Sequence, residues 1–219
     1  MKRGARDFND WKGTRAVREE YARLADDYDR RWSSYVTATL RETLYRLELG
    51  SSDRLLDVGC GTGALLSTVR RVNPTVTIIG VDLVPEMLSI ARGKLGADVP
   101  LAAANAEYLP FHPSTFDVVV STSSFHYWLQ PTAGLSEIAR VLRPGGRLVI
   151  TDWCDDYLAC RLCDLVLRLV DPAHHRSYGL KECEQWLEAC GYKVSAIERY
   201  KINWLWGMMT ATAFKPVVS

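Results

Sequence analysis

LLDVGCGTGALL (residues 55–66) places an apolar run, an acid, three alternating glycines and a second apolar run in twelve residues. An apolar run this short, bounded by glycine, suits a strand covered on both faces, which predicts a buried strand over 54–58. Gly59, Gly61 and Gly63 then form the turn, because glycine adopts positive φ and lets a ligand meet the backbone without a Cβ in the way. From Ala64 the apolar spacing becomes helical. A strand, a glycine turn and a helix N-terminus make a nucleotide cradle without saying which nucleotide.

Composition narrows the class. The 219 residues suit one domain with a core that does not depend on disulfides. The net charge is +1 with acids and bases interspersed, so no basic stripe points to nucleic acid as a partner. No apolar stretch reaches bilayer-spanning length, and MKRGARDFND (1–10) lacks the apolar centre of a secretory signal, so the expected location is the cytoplasm. Cys160 and Cys163 form a lone CxxC inside a helical pattern. No second pair or set of histidines stands at zinc-ligand spacing, so no metal site is expected. Cys183 and Cys190 share a stripe with Leu180, Trp186 and Leu187, which suits burial as small apolar side chains.

Outward from the glycine turn the chain alternates. An amphipathic leader over 14–32 carries Val17, Tyr21, Leu24, Ala25, Tyr28 and Trp32 at helical spacing, and a second helix follows over 33–49. Beyond the turn come a helix (64–71), a strand (75–82), a helix opened by Pro85 (86–95) and a short strand (100–104). A fourth strand (114–124), a helix (131–142), an RPGG turn and a fifth strand (147–152) complete the alternating part. Strands separated by helices imply a parallel sheet with helices on both faces. The last third carries helices over 157–170 and 180–190, then strands over 192–200 and 210–217. Too little chain separates that final pair for a helical crossover, so the sheet should end in an antiparallel hairpin.

Gly59, Gly61 and Ala64 also satisfy the dinucleotide fingerprint, with Asp82 placed as a ribose-binding acid. Asp57 argues against a dinucleotide. At the C-terminal end of the first strand its carboxylate would repel a pyrophosphate but attract the α-ammonium of a methionine moiety. Asp82 can accept both ribose hydroxyls, and the segment after the third strand can supply an adenine partner. The expected cofactor is therefore S-adenosylmethionine.

The sequence resembles the class I S-adenosylmethionine-dependent methyltransferases, in the group that includes the ubiquinone and menaquinone C-methyltransferases. The likeness runs through YARLADDYDRRW (21–32), LLDVGCGTG (55–63), GVDLVPEML (80–88), ANAEYLPF (104–111), FDVVVSTSSFHYW (116–128) and VLRPGGRLVI (141–150), in family order. It implies a Rossmann-like α/β fold: one domain with a seven-stranded, mostly parallel sheet and an antiparallel last strand. Residues 1–49 would be a helical lid, 50–152 the cofactor-binding core and 153–219 the C-terminal helices and hairpin. It further implies cofactor contacts from Asp57, Gly59 and Gly61 near the methionine end, and from Tyr28 of the lid. Asp82 and Leu83 would meet ribose and adenine, Asn105 and Ala106 the adenine edge, and Ser121 of the fourth strand joins this set. Asn105 stands where the family commonly has aspartate, keeping a carbonyl acceptor but adding an NH₂.

Methyl transfer from a sulfonium is an in-line displacement that depends on placement, and a base is needed only when the nucleophile carries a proton. His126, just beyond the fourth strand, is the candidate base, since strand C-terminal ends border the crevice in such sheets. The alternative is a histidine that holds a loop. His174 and His175 read as solvated or hydrogen-bonding loop residues. The helix over 157–170 is apolar around most of its circumference, with Arg161, Asp164 and Arg168 as a narrow polar strip. Its excess apolar surface must meet a lipophilic acceptor, a second subunit, a membrane surface or the leader, and packing against the leader is the first expectation. The expected reaction is methyl transfer to a small, apolar or aromatic acceptor at oxygen or carbon, by a monomer or homodimer, with peripheral membrane contact compatible. Thiol or arsenite-like metalloid methylation using the cysteines, and cofactor binding without catalysis, are the alternatives.

Overall fold

The computed structural model describes residues 12–171, 173–204 and 206–217. The first eleven residues of the expected lid lie outside that range. The leader comprises α1 (Lys12–Leu24), a single 3₁₀ turn (Ala25–Asp27), α2 (Tyr28–Arg31) and α3 (Ser33–Leu47). Then follow β1 (Arg54–Val58), α4 (Ala64–Val72), β2 (Thr77–Asp82), α5 (Pro85–Leu95), β3 (Leu101–Ala103), β4 (Phe116–Thr122), α6 (Pro131–Val141) and β5 (Leu142–Trp153). The chain closes with α7 (Leu158–Val170), α8 (Leu180–Ala189), β6 (Lys193–Lys201) and β7 (Gly207–Phe214).

The strands form one seven-stranded sheet in the order β3-β2-β1-β4-β5-β7-β6. Neighbours from β3 to β5 run parallel, and β7 pairs antiparallel with both β5 and β6. Strand order reverses between β1 and β4, and a crevice opens at the carboxyl ends of the strands at such a reversal. Asp57, Asp82, Thr122 and Asp152 all stand at that edge.

Alternation along the strands divides the core in two. Leu56, Val58, Val119, Leu148 and Ile150 pack with Leu135, Ile138 and Leu187 of α6 and α8. Leu55, Ile78, Val118, Val120 and Val149 pack on the other face with Leu47, Leu66, Val69 and Ala91 of α3, α4 and α5. A run of hydroxyls fastens α3 to the sheet. Thr43 donates to Thr151 at 2.9 Å, Thr151 meets Thr210 at 3.0 Å, and Thr210 meets Tyr200 at 2.7 Å.

Three expectations are corrected. The leader is not one helix over 14–32: it turns at Ala25, which is buried against Val84 and Met87, so packing onto α5 overrides helical propensity, while the break at Trp32 (φ −108, ψ 15) falls at the expected start of the second helix. RPGG lies inside β5 rather than before it. Gly145 and Gly146 bond to Lys215 at 2.8 and 2.9 Å, while the β4 register jumps between Phe116 and Val118. Nor does α7 pack against the leader, because its outer face is exposed at Leu158, Leu162, Leu165, Val166, Leu169 and Val170.

Gly63 has φ +75, and a Cβ there would lie 3.0 Å from Leu95 and 3.1 Å from Ala91 of α5. Close approach of α4 to α5 accounts for this glycine. Gly63→Val should therefore cost about 1–3 kcal/mol from overpacking, plus left-handed strain, read as a lower urea midpoint at unchanged m-value.

Candidate active site

The end of β1 and the glycine turn form the floor of the crevice. Gly59 (φ +81) approaches the loop after β4 so closely that a Cβ would fall 2.2 Å from Ser124 Oγ, whereas a Cβ on Gly61 (φ +52) would meet nothing within 4 Å. Gly59 is thus required by packing. Gly61 leaves bare backbone toward open space, as a closely approaching ligand needs. The Gly61 N–H donates to Asp82 Oδ2 at 2.7 Å and the Val84 N–H to Oδ1 at 2.9 Å, fixing the Asp82 carboxylate at the end of β2.

Two adjoining cavities occupy this crevice. Asp82, Leu83, Asn105, Ala106, Met87 and Tyr127 help line one, and Asp57, Thr62, Tyr35 and Leu65 help line the other. Tyr28, Gly59, Gly61, Thr122 and Ser123 border both. Eight of the expected residues therefore lie along one continuous cleft. Ser121 does not: it is fully buried in β4, and Thr122 to Ser124 face the cleft instead. Ser123 holds the left-handed φ of 53°, a backbone strain of the kind that collects at functional loops.

The residues fit the expected cofactor. Asp57 is buried and its Oδ1 has no partner, leaving a carboxylate oxygen for an ammonium. Burial, with Asp82 nearby, pushes its carboxyl up to about 8. Burial also raises Asp82, opposed by the backbone N–H donors of Val84, Gly61 and Leu83. Asn105 Oδ1 accepts from the Glu107 N–H at 3.0 Å, so its carbonyl is engaged locally and the NH₂ remains for a ring-nitrogen acceptor.

The leader closes over this cleft. Tyr21 meets Tyr127 hydroxyl to hydroxyl at 2.6 Å, and Thr62 donates to Asp29 at 2.7 Å, while Lys94 pairs with the same carboxylate. Glu20 bonds to Asp171 at the end of α7, and burial together with that contact pushes Glu20 up to about 7. Tyr28 of the leader borders both cavities, whereas Trp32 borders neither.

His126 lies behind the cleft wall, only 2% exposed, and lines neither cavity. Its Nδ1–H donates to Asp152 Oδ1 at 2.6 Å, and Asp152 also accepts the backbone N–H groups of His126 and Trp153. The imidazole stacks on Trp153 (5.0 Å, 13°) and abuts Tyr127 (4.0 Å). Its Nε2 is buried and unpartnered. Residue patterns did not single out Asp152, Tyr35 or Trp153. The rule that selected His126, proximity to a strand's carboxyl end, applies equally to Asp152 and Trp153 at the end of β5. His174 bonds to Asp164 at 2.9 Å and is buried, the hydrogen-bonding rather than the solvated of the two expected states. The thiol of Cys154 is pushed up to about 12 by burial and that of Cys160 is raised for the same reason, which disfavours thiolate chemistry. Among the described residues no cluster of His, Cys, Asp and Glu is arranged to hold a metal ion, and no helix is long and apolar enough to cross a membrane.

These groups generate two predictions. Asp57 is protonated in the free protein below about pH 8, and an ammonium favours its ionised form. S-adenosylhomocysteine binding should therefore release a proton near pH 7 and tighten as pH rises toward 8. Calorimetry in buffers of different ionisation enthalpy reads the release, which Asp57→Asn should abolish. Asp82→Ala should lower S-adenosylhomocysteine affinity by at least tenfold, since charged hydrogen bonds are worth roughly 1.5–3 kcal/mol each. Unchanged affinity in a folded variant refutes that assignment.

A family model described as a methyltransferase domain matches residues 56–150. The demethylmenaquinone methyltransferase of Tropheryma whipplei (strain Twist) is 30% identical over 218 residues, covering 86% of this chain and 88% of that one. The demethylmenaquinone methyltransferase of Deinococcus radiodurans is 37% identical over 145 residues, or 63% of this chain and 60% of that one. The match thus spans under two thirds of the Deinococcus protein. Among solved structures, a chain from the complex between the Haloferax volcanii Trm112 methyltransferase activator and a proposed methyltransferase superposes with a TM-score of 0.81. It is 20% identical and covers 90% of this chain and 98% of that one. Family model, relative and fold agree with the glycine turn and its two acids: the chain belongs to the class I S-adenosylmethionine-dependent methyltransferases and is similar to the demethylmenaquinone methyltransferases.

Proposed function

We propose that the acceptor is a small aromatic, apolar molecule methylated at carbon or oxygen. The observation that supports this most is an apolar chamber of about 390 Å³ lined by Trp32, Trp153, Trp206 and the inner side of α7. A chain of hydrogen bonds joins it to the cofactor cleft. Trp153 Nε1 donates to Tyr35 Oη at 2.8 Å, and Tyr35 Oη meets Ser123 Oγ at 2.7 Å. Tyr35 and Ser123 border the cleft and Trp153 borders the chamber, so an acceptor held among the indoles lies one side chain from the cofactor. Indole and phenol rings recognise a flat apolar ring by edge and face contacts. The names of the relatives, demethylmenaquinone methyltransferases, favour the same class of acceptor.

When bound, S-adenosylmethionine supplies a methyl group activated by its sulfonium. The chain's own contribution is to orient the acceptor, exclude water and accept a proton. Asp152 holds His126 with Nδ1 protonated, which leaves the Nε2 lone pair to take a proton from a ring hydroxyl or an activated ring carbon. The Asp152 carboxylate then stabilises the imidazolium. Tyr127, which touches the imidazole and lines the cleft, is the side chain that must give way for Nε2 to reach the acceptor.

Supplied with S-adenosylmethionine and 1,4-naphthohydroquinone, the protein should form S-adenosylhomocysteine, and dithiothreitol should be inert as acceptor. The reverse pattern overturns this reading in favour of a thiol acceptor. His126→Gln should lower turnover by about 10²–10⁴ with cofactor affinity unchanged. Turnover within a few fold of wild type across pH would make the pair a positioning device for Trp153.

A further inference from the structure

The helix α7 carries its apolar surface on the wrong side for a soluble monomer. Only Cys160 and Asp164 of its 13 residues are fully buried. Leu158, Leu162, Leu165, Val166, Leu169 and Val170 are each more than half exposed, Leu169 to 81%. The one acid is turned inward, where Asp164 accepts from the Ser177 N–H and pairs with His174 and Arg168. The exposed charges of the helix are both basic, Arg161 and Arg168, one helical turn and more apart on a flank of the apolar stripe. At its N-terminal end Arg199 and Lys201 of β6 reach over the Tyr157 ring, each 5.5 Å from its centre. Three acids lie near the helix ends: Asp155, which interacts with Arg161, Asp156, which accepts from the Leu180 N–H, and Asp171, the partner of Glu20. Trp204, 84% exposed, projects from the turn between β6 and β7, two residues before the Trp206 that lines the apolar chamber.

We infer that α7 and Trp204 form a docking surface for an anionic lipid bilayer, with the chamber opening toward the lipid. Leucines facing outward, arginines at the boundary and an exposed tryptophan are the arrangement of a helix lying in a membrane interface. The basic charge of the exposed flank complements anionic headgroups. A second copy of the chain would meet this stripe with the same basic flank rather than with anionic groups, so the charge favours lipid over self-association. Leu162 and Val166 belong to both the exposed stripe and the chamber lining, so the surface that meets lipid is continuous with the place proposed for the acceptor. The docking surface stands without turnover; only the route it gives an apolar acceptor rests on the function proposed above.

The test is sedimentation of the full chain with vesicles of phosphatidylglycerol and phosphatidylcholine in equal parts, and with phosphatidylcholine alone. The expected result is binding to the mixed vesicles that weakens with salt and falls strongly without phosphatidylglycerol. Leu165→Glu with Leu169→Glu, neither of which lines the chamber, should reduce binding by about tenfold or more, and Arg161→Glu by about fivefold. S-adenosylhomocysteine affinity and methyl transfer to dissolved 1,4-naphthohydroquinone should be unchanged in these variants. Absence of vesicle binding by wild type overturns the inference. So does binding indifferent to the leucine pair, or a wild-type dimer in sedimentation equilibrium that the leucine pair dissociates. Loss of naphthohydroquinone methylation in wild type would instead count against the proposed acceptor and leave the vesicle result standing.

Discussion

A carboxylate deprived of water at the end of β1 organises the cleft. Asp57 is buried with one oxygen unpartnered and a second acid nearby, so its surroundings favour its neutral form. That is an unfavourable place for an acid unless a cation completes it. The glycine turn follows from the same geometry, because a ligand that brings a cation to Asp57 must pass over backbone at Gly61. Asp82 differs in having two backbone N–H donors of its own. One acid is pre-satisfied and suits neutral hydroxyls, and the other waits for charge. That asymmetry is what separates a zwitterionic nucleoside from a dinucleotide in this crevice.

The second constraint is aromatic. Tyr35, Trp153 and Trp206 pack edge to face as a wall; the Trp153–Tyr35–Ser123 hydrogen bonds run toward the cofactor cleft, and Trp153 and Trp206 line the apolar chamber. Hydrogen bonds fix Trp153 and Tyr35, so these two rings are oriented before any acceptor arrives, and little of their rotamer freedom is left to lose on binding. His126 belongs to the back of this wall, stacked on Trp153 and tethered to Asp152.

Much of this was legible in the sequence, and the boundary is physical. The apolar run before Gly59 defines β1, and Asp57, Gly61 and Asp82 declare themselves because strand, turn and helix follow one another locally. The final hairpin could be read because too little chain separates its strands. Tyr35, Asp152 and Trp153 carry no such local mark. They meet only because α3 crosses the carboxyl ends of β4 and β5, a contact between residues more than a hundred positions apart. The break at Ala25 was hidden for the same reason: its cause is Met87 on another helix. Ser121 shows the limit of reading a strand end, since one residue of register separates a buried side chain from one that faces the cleft.

The hydroxyl run from Thr43 through Thr151 and Thr210 to Tyr200 divides the leader into two mechanical parts. Displacing α3 would break the buried Thr43–Thr151 bond, at about 1–3 kcal/mol, while the Thr151–Thr210–Tyr200 bonds stay within the sheet. The ties of α1 and α2 are of another kind: the apolar cluster of Ala25 with Val84 and Met87, and the polar contacts of Tyr21 to Tyr127, Asp29 to Thr62 and Lys94, and Glu20 to Asp171. The leader is therefore fastened twice, by a polar seam where α3 lies on the sheet and by an apolar one where Ala25 meets α5, and the turns at Ala25 and Trp32 are where the chain changes direction between the two.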